Sequence, residues 1–448
     1  MPAIRFNLLS LIQSPLLLAG ILFSPILQAQ DRRQVKEPMM PTHICASLTP
    51  LAASSSENDT QRLQAVIDRC QAGSAVKLSG GRFVSGPLNM KSGVTLWLVR
   101  GAVLAASTNP HAYDKSGHCG TIDNIGQGCR PFIHFDKTQG GGIVGEGLID
   151  GQGGQVMYGH GETWWQLARR AQKEGGKQNV PRLIEIDHAR DITFYQVTLR
   201  NAPGFHVALN ATEGATFWSV RIDTPADARN TDGIDPGASQ DITIAHCFIR
   251  TGDDNVAVKA GRSGPTSHVS LLDNHFYWGH GMSIGSETVG GVSDILVRDL
   301  TLDETTSGLR IKSDASRGGI VSGILYEHVC MRGNRRPLDF DTHYHVGASG
   351  LDIPVYREII LRDVGGDAGQ LIFRGYDAAH PLTVKLDGVH FGSAARWLVK
   401  SAQLHIGSNG VSPPMSGSAY GSPAYSHADC TKRWKPFPAT ANNIGAAI

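Results

Sequence analysis

ITFYQVTL, residues 192–199, is the first of five short apolar runs that decide how this chain folds. The others are ATFWSVRI (215–222), ITIAHCFI (242–249), VSLLDNHF (269–276) and ILVRDLTL (295–302). Successive runs begin 23, 27, 27 and 26 residues apart, and Gly, Asp, Asn and Ser fill the segments between them. Short runs of β-branched and apolar residues between turn-formers are typical of strands. A repeat of this length indicates a solenoid, in which each repeat packs on its neighbours.

The fold predicted from this repeat is all-β, a right-handed parallel β-helix. No helical pattern separates the runs, so units of strand, helix and strand are excluded. A β-sandwich is the alternative, but its strands recur about every 8 to 12 residues. At the amino end, NDTQRLQAVIDRC (58–70) places Leu63, Val66, Ile67 and Cys70 on one helical face. We predict a short capping helix there, because an open coil exposes core and unpaired strand edges.

Composition excludes some classes of function. Of 448 residues, 53 are Gly and 22 are Pro, which disfavours long helices. Hydrophobic residues form 41% of the chain and charged residues 18%, a mixture that folds. Lys and Arg number 41 against 40 Asp and Glu. The balance gives no general electrostatic case for nucleic-acid binding, which needs a basic excess.

Residues 1–29 have the pattern of a secretory signal. Arg5 supplies a positive start, an apolar stretch extends from Leu8 to about Leu27, and Ala29 offers a cleavage site. A membrane anchor is the alternative, but Gln13, Ser14 and Pro15 interrupt the run. We predict a secreted, extracellular protein with no membrane contact in its mature form. Residues 30–400 are predicted to form one β-helical catalytic domain, and 401–448 a Pro/Gly/Ser-rich tail without assigned function.

Seven cysteines accompany the predicted export, which allows disulfides to persist. Cys45 with Cys70 and Cys119 with Cys129 are plausible pairs, but spacing does not decide connectivity. The odd count leaves at least one thiol unpaired, and the pairing of the other three stays open. None forms a C-x-x-C pair typical of zinc. GEGLID (145–150) lacks the third glycine of a dinucleotide loop, so no nucleotide cofactor is predicted.

Four polar clusters fall in consecutive predicted coils. They are Asn230-Thr231-Asp232, Gly252-Asp253-Asp254, Gly279-His280-Gly281 and Arg310-Ile311-Lys312. Asp253 and His280 each lie eleven residues after the first residue of their run, Ile242 and Val269. Neighbouring strands lie roughly 4.8 Å apart, so groups one repeat apart become lateral neighbours. We therefore expect three carboxylates, an imidazole and two cations to meet on one outer face.

Each cluster taken alone is weak evidence, since Asp commonly caps turns and basic pairs usually face solvent. If the four clusters meet on one face, however, a catalytic role is favoured over a structural one. Crowded carboxylates raise the pKa of one of them, and a protonated carboxyl beside ionised neighbours is the arrangement that cleaves a glycosidic bond. An outward Arg310 and Lys312 beside the acids suit the carboxylate of an acidic sugar. This combination predicts a hydrolase acting on an acidic polysaccharide.

With these motifs, the chain resembles the polygalacturonases of glycoside hydrolase family 28, nearest to the bacterial endopolygalacturonases. The matching motifs NTD, DD, GHG and RIK occur here in order at 230–232, 253–254, 279–281 and 310–312. The resemblance extends from about Cys45 to about Lys400. It implies a β-helix that hydrolyses α-1,4 linkages of polygalacturonate with inversion and without metal or cofactor. It also supports the Cys45–Cys70 and Cys119–Cys129 pairs.

The resemblance assigns a role to each motif residue. It makes Asp253 the general acid, Asp232 and Asp254 the groups that activate water, and His280 a support for the protonated Asp253. Substrate-binding roles fall on four further residues, namely Arg310, Lys312, Asn230 and, by a looser match within FDTHYH, Tyr344. Stacking at one-coil spacing would bring the carboxylates closer than the roughly 6.5 to 9.5 Å usual for inverting enzymes, so for stereochemistry we follow the family.

Two other functions remain open at this point. A pectate lyase shares the β-helix but would need calcium and would release unsaturated products. A β-helical carbohydrate-binding protein or adhesin that has lost catalysis is the second alternative, and the intact acid set argues against it. The partner predicted is de-esterified pectin, and we expect a monomer. Endo attack is favoured over exo attack, although loop shape decides it.

Overall fold

A computed structural model describes residues 30–51, 58–415 and 428–439. The predicted signal at residues 1–29 lies outside the described residues. Within them no helix is long and apolar enough to cross a membrane. Helices occupy Thr60–Arg69, Pro110–Tyr113, Trp164–Glu174 and Ala428–Thr431. Nearly all other regular structure is β-strand.

The strands form two long parallel sheets that wind around one core. The larger sheet contains Ile44–Leu48, Ala75–Leu78, Gly81–Ser85, Thr95–Leu98, Ala102–Ala106, Gly142–Val144, Leu148–Asp150, Arg190–Tyr195, Thr198–Arg200, Glu213–Trp218, Arg221–Asp223, Gln240–Ala245, Phe248–Arg250, Thr266–Leu272, His275–Tyr277, Val292–Arg298, Thr301–Asp303, Ile320–Arg332, Val355–Tyr356, Ile359–Gly366, Leu382–Phe391, Ala402–Ile406 and Val411–Ser412. The smaller sheet contains Leu88–Asn89, Ile133–Asp136, Ile184–Asp187, Val207–Asn210, Ile234–Gly237, Val256–Val258, Met282–Gly285, Ser307–Lys312, Arg336–Asp341, Gln370–Arg374 and Arg396–Lys400. Ile122–Asp123 and Lys177–Gln178 form a separate antiparallel pair.

Equivalent positions of the predicted repeat pair with one another in the larger sheet. Ile192 pairs with Ala215, Ala215 with Ile242, Ile242 with Val269, and Val269 with Ile295. These residues are buried, and each stacks on its equivalent in the next coil. The predicted right-handed parallel β-helix is therefore confirmed: one apolar position per coil, repeated, builds a continuous interior.

The predicted capping helix is also present, at Thr60–Arg69. Its apolar face buries Leu63, Val66 and Ile67. A helix that was not predicted lies at Trp164–Glu174; it begins with a capping box between Thr163 and Gln166 and ends at Gly175. Its buried side chains are Trp164, Leu167, Ala168 and Ala171, and the Trp164 ring lies edge-on to Tyr113.

Disulfides join Cys45 to Cys70, Cys119 to Cys129 and Cys330 to Cys430, and Cys247 is a buried free thiol. The first two are the pairs proposed from sequence. The third spans a separation of 100 residues, and the spacing of the cysteines does not predict it.

The boundary predicted at Lys400 falls inside the coils. Ala402–Ile406 and Val411–Ser412 both pair in parallel with Leu382–Phe391. Apolar side chains at Leu404, Ile406 and Val411 pack against the core, which is why the winding continues through a Gly- and Ser-rich stretch.

Part of the predicted tail is attached to the outside of the larger sheet. Besides the bond at Cys430, Tyr277 donates its hydroxyl to the Lys435 carbonyl at 2.6 Å. The Phe437 ring lies against Tyr277 and under the guanidinium of Arg250, 3.9 Å from the ring centre. The described residues 428–439 are therefore a clasp on the larger sheet.

Candidate active site

The smaller sheet brings the predicted site residues together on its outer face. Its register pairs Ser283 with Arg310 and Gly285 with Lys312. Asn230 to Asp232 precede the strand Ile234–Gly237, and Asp253 and Asp254 precede the strand Val256–Val258. His280 precedes Met282–Gly285 in the same way. Each acid or imidazole thus enters from the turn that leads into its strand.

Close backbone approach explains the glycine that begins the GDD cluster. A Cβ atom at Gly252 would lie 2.0 Å from the Ala228 carbonyl oxygen in the preceding coil. The Gly252 amide instead donates to the Thr231 hydroxyl at 2.9 Å. The two acidic turns therefore stack directly, which no larger residue at position 252 would allow.

Asp253 is held by His280. His280 Nδ1 lies 3.0 Å from Asp253 Oδ1, and the His280 amide donates to the Asp253 carbonyl at 2.8 Å. Asn230 Nδ2 is 3.5 Å from the other carboxylate oxygen. Burial opposes ionisation of Asp253, but the hydrogen bond and charge of His280, with the charges of Lys312 and Lys259, hold its pKa well below the usual range. Asp253 is therefore ionised in the unliganded protein.

Asp254 is fully enclosed. Lys312 Nζ donates to Asp254 Oδ2 at 2.6 Å and Ser283 Oγ donates to Oδ1 at 2.8 Å, while Arg310 Nη1 is 3.6 Å away. Burial and the charge of Asp253 raise the pKa of Asp254. The pKa nevertheless lies below its usual value, mainly because of the Lys312 charge. The predicted cation pair thus already neutralises an acid of the site.

Tyr344 joins the same group. Its ring centre is 5.3 Å from the Arg310 guanidinium carbon and 5.3 Å from Lys312 Nζ. Arg310 also faces Asp339 and has a buried Nε without a hydrogen-bond partner. The structure therefore brings Tyr344, Arg310 and Lys312 together beside Asp254.

Asp232 behaves differently from the other two acids. It is 4% exposed, and one of its oxygens, Oδ1, has no hydrogen-bond partner. Burial raises its pKa well above the usual range, the Asp235 charge adds to this effect, and the Lys259 charge opposes it. The carboxyl with the raised pKa is therefore Asp232, and not Asp253 as predicted from the sequence. The reason is that the hydrogen bond and charge of His280 outweigh burial at Asp253, whereas at Asp232 burial and the charge of Asp235 outweigh the charge of Lys259.

Asp235 and Lys259 were missed at the sequence level. Lys259 Nζ donates to Asp232 Oδ2 at 3.2 Å and to Asp235 Oδ2 at 2.5 Å. The signal was available in principle, because Asp235 follows Ile234 and Lys259 follows Val258, so both face outward from strands of the smaller sheet. Neither belongs to the four motifs, and outward Asp and Lys are common on any sheet.

Two buried side chains brace the acidic turns from inside. His206 Nδ1 lies 3.1 Å from the Asp232 carbonyl, and burial lowers its pKa to about 4, so it is neutral and donates there. Asn255 donates to the Ile249, Tyr277 and Trp278 carbonyls, and its oxygen accepts from the Gly281 amide at 2.9 Å. Asn255 thereby ties the turn of Asp253 and Asp254 to the turn of His280.

A groove leads away from the site toward the amino-terminal coils. A cavity of about 240 Å³ is lined by Arg182, Phe205, Arg229 and Asn230, among others. Arg182 also lines an adjoining cavity of about 770 Å³. These volumes and the arginines give space and positive charge beside Asn230.

Two groups among the described residues have donors close enough for a metal ion: His134, Glu185 and Asp187, and Asp253, Asp254 and His280. In the second group the Lys312 ammonium already occupies an oxygen of Asp254. In the first, His134 Nε2 is 2.8 Å from Asp187 and Arg182 is 2.7 Å from Glu185. These donors are already paired with protein groups.

Residues 64–398 match the model of the glycosyl hydrolases family 28. An endo-polygalacturonase of Pectobacterium carotovorum subsp. carotovorum is 43% identical over 390 residues, which cover 86% of this chain and 95% of that protein. A polygalacturonase of Ralstonia solanacearum is 39% identical, covering 87% and 83%. Among solved structures, the polygalacturonase from Erwinia carotovora ssp. carotovora superposes with a TM-score of 0.79 at 40% identity, covering 84% of this chain and 100% of that one. The family model spans most of the coils and all four motifs, and the chain belongs to family 28 of the glycosyl hydrolases.

Proposed function

We propose that this chain is an extracellular endo-polygalacturonase, which hydrolyses α-1,4 linkages of de-esterified pectin with inversion. The observation that carries the proposal is one cluster: Asp253 against His280, with Asp254 against Lys312, beside a groove on the smaller sheet. Family membership and the Pectobacterium relative support polygalacturonate as substrate.

Substrate binding uses the cations. The Arg310 guanidinium lies 3.6 Å from Asp254 and 3.5 Å from Asp339, and Tyr344 offers a ring face next to it. A galacturonate carboxylate suits this corner because a guanidinium binds carboxylates in two-point fashion. Asn230, on the groove side of Asp253, is available to a sugar hydroxyl.

Bound substrate also changes the protonation of the site. A sugar carboxylate beside Arg310 and Lys312 adds negative charge close to Asp253, and like charge raises the pKa of a carboxyl. The hydrogen bond between His280 Nδ1 and Asp253 Oδ1 then carries a proton toward Asp253. Asp253 delivers that proton to the glycosidic oxygen as the bond breaks.

Water attacks from the opposite side of the sugar. Asp254, ionised beside Lys312, and Asp232 orient it, and one of them takes its proton. The water oxygen bonds to the anomeric carbon while the leaving oxygen departs, so one displacement inverts the configuration. The first-formed reducing ends are therefore β.

Export is supported by chemistry as well as by the predicted signal. Three disulfides within the described residues are typical of proteins in oxidising compartments.

The test measures viscosity and new reducing ends on polygalacturonate, with and without a chelator. We expect viscosity to fall early, when few linkages have been cut, with saturated products of β configuration by proton NMR and no loss of rate with chelator. Unsaturated, chelator-sensitive products would instead indicate the lyase. Binding without any cleavage would indicate the adhesin alternative.

Asn255→Ala is expected to lower both stability and activity. Removing the side chain leaves buried carbonyls and the Gly281 amide unpaired, which costs about 1–3 kcal/mol in the free energy of unfolding. Asn274→Ala is the matched control: Asn274 is equally buried, accepts from the Cys247 amide at 2.9 Å and donates to the Ile244 carbonyl. Urea unfolding should show a loss for both variants, and kcat at 25 °C should fall only for Asn255→Ala. Equal kcat values would contradict the positioning of the acidic turn by Asn255.

A further inference from the structure

Lys259 shares one half-buried positive charge between two carboxylates. Its Nζ is 3.2 Å from Asp232 Oδ2 and 2.5 Å from Asp235 Oδ2. Its side chain is 21% exposed, and the two Asp side chains are 5% and 4% exposed. The ammonium also lies 4.3 Å from the centre of the Phe205 ring, which lines the groove. Lys259, Asp232 and Asp235, called the triad below, are therefore largely shielded from bulk solvent.

The charges of the triad do not balance. Two carboxylates face one ammonium, and each carboxylate keeps one buried oxygen, Oδ1, without a hydrogen-bond partner. Other charged or titratable groups face each member of the triad. Asp253 and Asp254 face Asp232, and neutral His206 contacts the Asp232 backbone. Arg182 and Asp254 face Asp235, and Glu287 faces Lys259. The surrounding acids therefore add to the excess negative charge, and Lys259 is the cation hydrogen-bonded to Asp232.

The pKa directions of the three groups agree with this geometry. Burial lowers the pKa of Lys259, but Asp235 and Asp232 outweigh it and raise the pKa well above the usual range, so the ammonium persists. Burial raises the pKa of Asp235, and Lys259 opposes the rise.

We propose that Lys259 is a positioning residue for Asp232: by donating to Oδ2 it orients the carboxylate that accepts the proton of the attacking water, with Asp235 as the counter-charge. This inference rests on the proposed function, in which Asp232 helps to activate water. The step balances: the proton passes from water to the Asp232 carboxylate, the water oxygen bonds to the anomeric carbon, and the glycosidic oxygen leaves with the Asp253 proton. Lys259 then pairs with Asp235 alone, the carboxylate it already approaches more closely.

The experiment compares four variants on polygalacturonate: Lys259→Met, Lys259→Arg, Asp235→Asn and the double Lys259→Met/Asp235→Asn. Full pH profiles of kcat/KM and kcat are measured, with melting temperatures as a check of folding. Lys77→Met is the matched control, since Lys77 also lies over an aromatic ring, that of Trp97, but in the larger sheet.

Lys259→Met is expected to move the acid limb of kcat, which reports the substrate complex, to higher pH by about one pH unit or more, because an opposite charge at this distance lowers a carboxyl pKa by about 1–3 units. At pH values below the limb, kcat should fall about tenfold for each pH unit that the limb has moved, while KM changes little. Asp235→Asn should move the acid limb to lower pH, since the Lys259 ammonium then pairs with Asp232 alone. Lys259→Arg should retain the wild-type limb, and the double variant should recover part of the loss.

Several outcomes would overturn the inference. A purely structural role predicts uniform loss at every pH and a double variant worse than either single one. An acid limb that does not move in Lys259→Met would also contradict the positioning role. If Lys259→Met does not fold, the direction in which the acid limb moves in Asp235→Asn decides between the positioning role and a structural one. Wild-type protein that leaves polygalacturonate intact refutes the proposed function, whereas an active wild type with unmoved limbs refutes only the role of Lys259.

Discussion

Asp253→Asn is expected to reduce kcat on polygalacturonate by about 10²–10⁴-fold or more, since an amide cannot deliver the proton that the departing oxygen needs. Binding of an oligogalacturonate should persist, because Arg310, Lys312 and Tyr344 are untouched. The two quantities are measured separately, kcat from reducing ends and Kd by calorimetry.

The matched control is Asp273→Asn. Asp273 also accepts from a histidine, with His246 Nδ1 at 2.9 Å, but it lies in the bend between the strands Thr266–Leu272 and His275–Tyr277 of the larger sheet. Its backbone has φ 49°, a conformation that Asn tolerates well. This variant should keep full activity. Normal cleavage by Asp253→Asn would refute the assignment of the general acid, and equal loss in both variants would point to damage from breaking any such pair.

Replacing Cys330 and Cys430 by Ser is expected to cause the largest loss of stability. The bond closes a separation of 100 residues, and the chain-entropy relation gives about 4.7 kcal/mol for a loop of that size. Cys119→Ser/Cys129→Ser, across a separation of 10 residues, should cost about 2.7 kcal/mol by the same relation. Urea unfolding under non-reducing conditions measures both values.

Activity distinguishes the two pairs of substitutions further. The clasp 428–439 packs on Arg250 and Tyr277 of the larger sheet, whereas the site is on the smaller sheet. The folded Cys330→Ser/Cys430→Ser variant should therefore keep kcat and KM at 25 °C. A fall in kcat without unfolding would show that the clasp influences the site. Equal losses of stability would show that constraint of the unfolded chain is not the main effect.

The charge pattern of the site illustrates what sequence reasoning reached and what it did not. The motifs identified Asp232, Asp253 and Asp254 as neighbours, and the coils do stack them. The motifs also suggested free cations, but Lys312 binds Asp254, which lies 58 residues earlier in the chain. Which acid faces which cation depends on side-chain reach across several coils, and spacing along the chain does not contain that information.

The sequence by itself determined the winding, the capping helix and the outer face that collects the motifs. These depend on local patterns: one buried apolar position per repeat, an amphipathic turn, and the alternation of inward and outward residues. Only the tertiary structure decided that Lys259 stands between Asp232 and Asp235, that Cys430 returns to Cys330, and that strands continue beyond Lys400. These features join residues far apart in the chain, and their energies come from burial and charge pairing that exist only after the coils have stacked.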